Sequence, residues 1–338
     1  MRIRRGLTAI SGALRLSASA ALALAFLVTA AQAQSPTLAE LLSGVVQINT
    51  QITPDGRTTE NLGREREGTG IVIDDNGLIL TIGYLMVEAI SVEVITNDGR
   101  TVSAHVVGYD NESGFGLLQT ATPLKVRALK MGTAADIKSG DPAVVASYGG
   151  ASGLLPVHVV DKRDFAGSWE YLLDEAIFTA PFHPAWSGAA LIGHDGKLIG
   201  VGSLSVRDAS GKGDKQNGNM FVPIDRLAPI LADLISDGRP AVAHPWLGLS
   251  TEDDGGHLVV SRVTPGAPAE KAGVKKGDVI IGVAGETAKD LPDFYRKVWA
   301  QGRAGVDVPL DVMQNHQRRS LQVHSINRLD HLKLNTSF

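Results

Sequence analysis

"APFHPAWSGAALIGHDGKLIGVG" occupies residues 180–202 and sets Ser187 in a turn of small residues, just ahead of what reads as two strands and a hairpin. A serine followed by glycine in such a turn can be a nucleophile held by its backbone, or an ordinary turn residue. The sequence on both sides repeats the short-strand pattern. "GTGIVIDDNGLILTIG" (68–83) places Asp75-Asn76-Gly77 between two apolar runs, a strong hairpin signal. "ISVEVITNDGRTVSAHVVGYD" (90–110) does the same with Asn97-Asp98-Gly99. "AVVASYGG", "LLPVHVVD", "EAIFTA" and "NMFVPI" continue it. Many short strands at this spacing predict an all-β barrel or sandwich rather than a βαβ fold.

The period then changes. "IDRLAPILADLISDG" (224–238) places Leu227, Ile230, Leu231, Leu234 and Ile235 on one helical face, with Asp225 as the expected N-cap and Gly238 as the stop. "RPAVAHP" (239–245) reads as a linker. Beyond it, "WLGLS", "GHLVVSRV", "DVIIGVAG", "VDVPLDVMQ" and "RSLQVHSI" read as strands around a helix at "LPDFYRKVWAQ" (291–301). That helix carries the apolar stripe Leu291, Phe294, Tyr295, Val298 and Trp299. Asp290 is its expected N-cap, with Asp293 as a capping-box-like partner. A second, smaller domain of mixed strands with few helices is therefore expected.

The chain has 338 residues and no cysteine, so no disulfide or lipidated cysteine contributes, and its cores must hold by packing. Residues 1–33 combine four arginines, an apolar run from about Leu16 to Ala30, and the small-x-small site Ala31-Gln32-Ala33. This is the pattern of a cleaved secretory signal peptide, and the run is short for a bilayer span. Export of a cysteine-free chain with this leader suits a bacterial periplasm. Without the leader's four arginines, 28 basic residues face 36 acidic ones, a net charge of −8. No basic block remains, which argues against nucleic acid as a partner. No other run is long and apolar enough for a membrane span.

The order of motifs resembles the HtrA/Deg group of trypsin-like serine proteases, with a C-terminal PDZ domain, over about residues 40–328. "GTGIVIDDNGLILTIGYLM" is similar to the family's strand–turn–strand before the triad histidine. "GYDNESGFGLL" (108–118) is similar to the segment carrying the triad aspartate. "FHPAWSGAALIGHDGKLIG" (182–200) matches the nucleophile segment, "FVPIDRLAPILADL" (221–234) the closing helix, and "TPGAPAEKAGVKKGDVIIGVAGE" (264–286) the PDZ core. The resemblance implies a mainly β protein: a trypsin-like double β-barrel at 36–238, a linker at 239–245, a small PDZ domain with one or two helices at 246–328, and a tail at 329–338. It also makes a homotrimer a possible assembly.

Carried over residue by residue, the resemblance puts Ser187 at the nucleophile position, Tyr84 at the triad histidine and Gly114 at the triad aspartate. The oxyanion hole would use the backbone N–H groups of Ala185 and Ser187. A serine hydroxyl needs an adjacent base, and a tyrosine with an ordinary pKa of about 10 is protonated at neutral pH. Glycine offers no side chain to orient a base. If Ala185 sits where the backbone is left-handed, its Cβ costs roughly 1–2 kcal/mol. His183 is the nearest alternative base in sequence, while His105 and His158 alternate with valines and are expected to face solvent. No histidine pair has ligand spacing, so no metal and no cofactor is expected. For the PDZ domain, the resemblance implies that Leu247, Gly248 and Leu249 form the loop that holds a peptide's C-terminal carboxylate. Phe294, Tyr295 and Val298 are then groove or core residues. The expected function is a proteolytically inactive protein binding unfolded proteins or free C-termini, in a chaperone-like or regulatory role. The alternative is an endopeptidase that uses Ser187 with a non-standard base.

Overall fold

The computed structural model describes residues 37–334, so the leader expected at 1–33 lies outside the described residues. Six strands, β1 (Val45–Ile52), β2 (Glu65–Val72), β3 (Leu78–Ile82), β4 (Ala89–Ile95), β5 (Thr101–Tyr109) and β6 (Phe115–Thr120), close into a barrel in the order β1-β2-β3-β6-β5-β4. Six more, β7 (Pro142–Ala146), β8 (Leu154–Gly167), β9 (Tyr171–Ala180), β10 (Ala190–Gly193), β11 (Leu198–Val206) and β12 (Gly218–Pro223), close a second barrel in the order β10-β11-β12-β9-β8-β7. Closure leaves neither sheet with a free edge. The turns before β3 and before β5 fall at the predicted Asn-containing loops, where Gly77 (φ 89°) and Gly99 (φ 84°) supply the left-handed residue.

Each barrel has its own apolar filling. Ile48, Ile79, Val94 and Leu118 fill the first, and Val145, Val159, Ile177 and Phe221 the second. A third cluster, which includes Leu80, Phe115 and Leu117 with Phe178, Val201 and Met220, draws on both barrels and joins them. Loops that bridge the two barrels are thereby held in fixed relation, which is what a composite cleft requires.

The closing helix is shorter than its period suggests. It runs Leu231–Asp237 behind a separate 3₁₀ turn, Ile224–Arg226, and Asp225 does not cap it. Pro229 lies between the two pieces; its ring disfavours helical geometry at the preceding residue and it has no N–H to donate. The Asp225 carboxylate instead accepts from the Thr133 hydroxyl and the Ala134 N–H. Gly238 does end the helix in the left-handed conformation (φ 71°).

The C-terminal sheet contains β13 (Leu249–Asp254), β14 (His257–Val263), β15 (Val279–Val283), β16 (Glu286–Thr287), β17 (Asp307–Gln314) and β18 (Gln317–His324). Its order is β13-β14-β15-β17-β18, with β16 paired to β15. The helix Leu291–Trp299 begins as its sequence predicts: the Asp290 carboxylate accepts from the Asp293 N–H at 2.8 Å. Phe294, Tyr295 and Val298 are buried in a core that also takes in Leu172 of β9. No helix among the described residues is long and apolar enough to cross a membrane.

Candidate functional site: the Ser187 cleft and the PDZ loop

β3 ends in a 3₁₀ turn, Gly83–Leu85, and this turn delivers Tyr84 to the junction of the barrels. Gly114, just ahead of β6, accepts from the Gly83 N–H at 2.7 Å. The loop from β9 to β10 delivers Ser187. Tyr84, Gly114 and Ser187 line one cleft of about 580 Å³, together with Trp169, Tyr171 and Trp186. The three positions picked out by the sequence thus come together.

The Tyr84 hydroxyl lies 2.9 Å from Ser187 Oγ and 2.9 Å from the Ser203 carbonyl oxygen. A carbonyl can only accept, so Tyr84 gives its single proton to Ser203 and Ser187 donates to Tyr84. Burial pushes the phenol up to about 12. At pH 7 only about one molecule in 10⁵ would carry the phenolate that could act as a base. The neutral phenol can orient Ser187 but cannot take its proton.

Gly114 has φ 79°, so a side chain at this position meets backbone strain as well as Ile82 Cδ1 at 3.3 Å from the added Cβ. The nearby Asp110 carboxylate is spent on the Ser113 hydroxyl and on the N–H groups of Glu112 and Ser113. Burial raises its pKa.

The anion cradle is altered in a way the sequence reading did not anticipate. Ala185 is not left-handed; Gly188 is, with φ 74°. The expected Cβ penalty at Ala185 therefore does not arise. Instead, the Ala185 N–H donates to His183 Nδ1 at 3.1 Å, so this donor is already engaged. His183 is buried, its Nε2 facing the Gly153 carbonyl at 3.2 Å and its backbone paired with the Asn219 amide. Burial lowers its pKa, and the ring serves as an internal brace for the loop rather than a partner of Ser187. His105 and His158 are exposed on their strands.

In the C-terminal domain, the N–H groups of Leu247, Gly248 and Leu249 converge on one carboxylate, that of Glu170 in the β8–β9 turn. The distances are 3.1 Å, 3.2 Å and 3.2 Å. Gly248 has φ 85°, and a Cβ there would lie 2.2 Å from Ala267 Cβ. The Tyr295 hydroxyl donates to the Gly167 carbonyl (2.8 Å) and accepts from the Glu170 N–H (3.2 Å). Phe294 and Val298 belong to the buried core. Glu170, which occupies the loop where a peptide carboxylate is expected, is the site residue that sequence reasoning missed.

Comparison with known proteins agrees with this architecture. Residues 68–201 match the trypsin-like peptidase domain family and residues 245–324 the PDZ domain family. HhoA of Synechocystis sp. is 28% identical over 304 residues, covering 80% of this chain and 74% of that protein. A DegP-like periplasmic serine endoprotease of Halomonas elongata is 26% identical over 283 residues, covering 80% of this chain but only 58% of that protein. Among solved structures, the HtrA-type protease AlgW with a tripeptide aligns with a TM-score of 0.52 at 21% identity, over 86% of this chain and 97% of that one. With two barrels, a PDZ sheet and this order of motifs, the chain belongs to the HtrA-type family of trypsin-like serine proteases with a C-terminal PDZ domain.

Proposed function

We propose that this chain is a proteolytically inert HtrA-type protein of the periplasm that binds unfolded proteins or peptides by their free C-termini, in a chaperone-like or regulatory role. The observation that carries the loss of activity is the Tyr84–Ser187 hydrogen bond, which fills the place of the general base with a protonated phenol. The engaged Ala185 N–H and the side-chain-free Gly114 weigh in the same direction. In a serine protease, loss of the base alone removes about as much rate as loss of the whole triad, roughly a million-fold. Peptide binding is supported by the three convergent N–H groups of Leu247, Gly248 and Leu249, which suit a carboxylate. The periplasmic location rests on the leader pattern and on the naming of the Halomonas relative.

The purified protein is expected to leave unfolded casein intact and to take no label at Ser187 from a fluorophosphonate probe. Labelling that disappears in Ser187→Ala would overturn the inert reading in favour of an endopeptidase with an unconventional base. Tyr84→His alone is also expected to restore no casein cleavage, because neither an orienting acid nor the Ala185 donor is available to it. Cleavage by that variant would show that the missing base alone silences the site, and that neither an acid at position 114 nor a free Ala185 N–H is needed.

A further inference from the structure

The turn that carries Glu170 is built at a conformational cost. β8 and β9 pair from Gly167 and Tyr171 outward, leaving a three-residue loop of Ser168, Trp169 and Glu170. The last residue of such a loop is left-handed and is commonly glycine. Here it is Glu170, with φ 59°. A non-glycine residue held there is strained and persists only when its surroundings over-determine it. The surroundings are on the PDZ side: three loop N–H groups on the carboxylate and the Tyr295 hydroxyl on the backbone.

The loop also meets the free edge of the PDZ sheet. β13 is an edge strand, and its Thr251 N–H donates to the Ser168 carbonyl at 2.8 Å. That is one rung of the strand addition by which an extended peptide pairs with an exposed sheet edge. Arg296 of the facing helix, paired with Asp164 and Asp174, ties both strands of the hairpin to the same groove. Trp169, in the same loop, lines the Ser187 cleft and stacks on Tyr171 at 5.9 Å.

We propose that Glu170 is an internal ligand of the PDZ domain: the β8–β9 loop fills the carboxylate site and the adjacent sheet edge, and an incoming C-terminal carboxylate must displace it. The inference deepens the peptide-binding reading above and rests on it for the identity of the competitor. The internal contact itself stands on the bonds to Glu170 alone. Binding then carries the cost of emptying the site, and the apparent dissociation constant exceeds the intrinsic one by the inverse of the open fraction.

Two measurements on the full chain test this and separate it from the peptide reading. Amide exchange followed by NMR is expected to show Leu247, Gly248 and Leu249 protected in the wild type. In Glu170→Gly, which removes the carboxylate and relaxes the turn, these amides should exchange at least roughly tenfold faster, with Leu118 in the first barrel unchanged. Glu170→Ala, which keeps the left-handed strain, should show the same local loss. Equal protection in all three proteins overturns the proposal. In the second measurement, a labelled pool of decapeptides with free C-termini should bind Glu170→Gly roughly tenfold more tightly than wild type, and its amidated counterpart should not bind. Equal affinity of wild type and Glu170→Gly overturns the internal ligand. No binding by any form, with faster exchange in the variants, overturns the peptide-terminus reading and leaves the internal contact supported.

Discussion

Gly188→Ala is expected to destabilise the protein by about 3–6 kcal/mol, combining left-handed strain, overpacking and lost hydrogen bonds. The residue follows Ser187 with φ 74°, and a Cβ built on it lies 2.0 Å from the Thr69 carbonyl oxygen and 2.7 Å from Thr81 Oγ1. Neither obstacle is the far end of a flexible side chain. The Thr69 carbonyl also accepts from the Thr81 hydroxyl, the Thr69 N–H donates to the Ser187 carbonyl at 2.8 Å, and the Gly188 N–H donates to Gly202 at 2.9 Å. Making room for a methyl group therefore pulls apart the contacts that seat the Ser187 loop on β2 and β11. At about 2–4 °C per kcal/mol for domains of this size, the melting temperature should fall by roughly 6–24 °C. Gly213→Ala is the matched control, since it has φ 76° but nothing within 4 Å of the added Cβ. It should lose only the strain, about 1–2 kcal/mol. A Gly188→Ala melting temperature equal to that of Gly213→Ala would show that the loop yields without loss.

The same neighbourhood shows what a sequence can and cannot carry. Ser187, Tyr84 and Gly114 are legible through the resemblance, which assigns each by its place in a family motif; strand period alone leaves Ser187 as either a nucleophile or a turn residue and singles out neither of the others. The use made of the Ala185 N–H was not legible. It depends on His183, which is braced by Gly153 and Asn219, 30 and 36 positions away, and nothing local to "FHPAWSG" predicts those partners. Glu170 was harder still. In "GSWEY" it is one acid among many, without periodicity or motif. The only available signal was a bulky residue at the end of a three-residue hairpin loop, where glycine is the norm. Recognising it requires the pairing of Gly167 with Tyr171, which is a fact of the sheet. Asp225 does not cap the helix for the opposite reason: the apolar period runs on through Pro229, which divides the segment. Period and turn chemistry lead to the β class and the second domain, the resemblance to the double barrel and PDZ sheet, whereas the state of the sites depends on contacts made across the chain.

The stability difference between wild type and Glu170→Gln is expected to shrink as pH rises from 5 to 8, by about 2 kcal/mol. Two influences oppose each other at this carboxylate. Burial disfavours its charged form, while the N–H groups of Gly248, Leu247 and Leu249, with Arg328 farther off, favour it. Burial prevails and moves the group from its ordinary 4.5 up to about 7. Between those values the folded protein holds a proton that the unfolded chain has released, so folding takes up a proton and stability falls as pH rises. The contribution is fully present below about 4.5 and is lost as pH passes through about 7. Other charged or titratable groups surround the site: Tyr295 on the facing helix, Arg328 near the C-terminus, and Asp110, Glu112 and His244 around the adjoining cavity. All are common to both proteins, so the difference between their melting curves at pH 5, 6, 7 and 8 isolates residue 170. A difference that grows with pH would mean that the loop N–H groups outweigh burial and that the PDZ loop prefers the ionised carboxylate. The sign of this slope therefore also fixes the pH range in which Glu170 is easiest to displace: with burial dominant, the internal ligand loosens above neutrality.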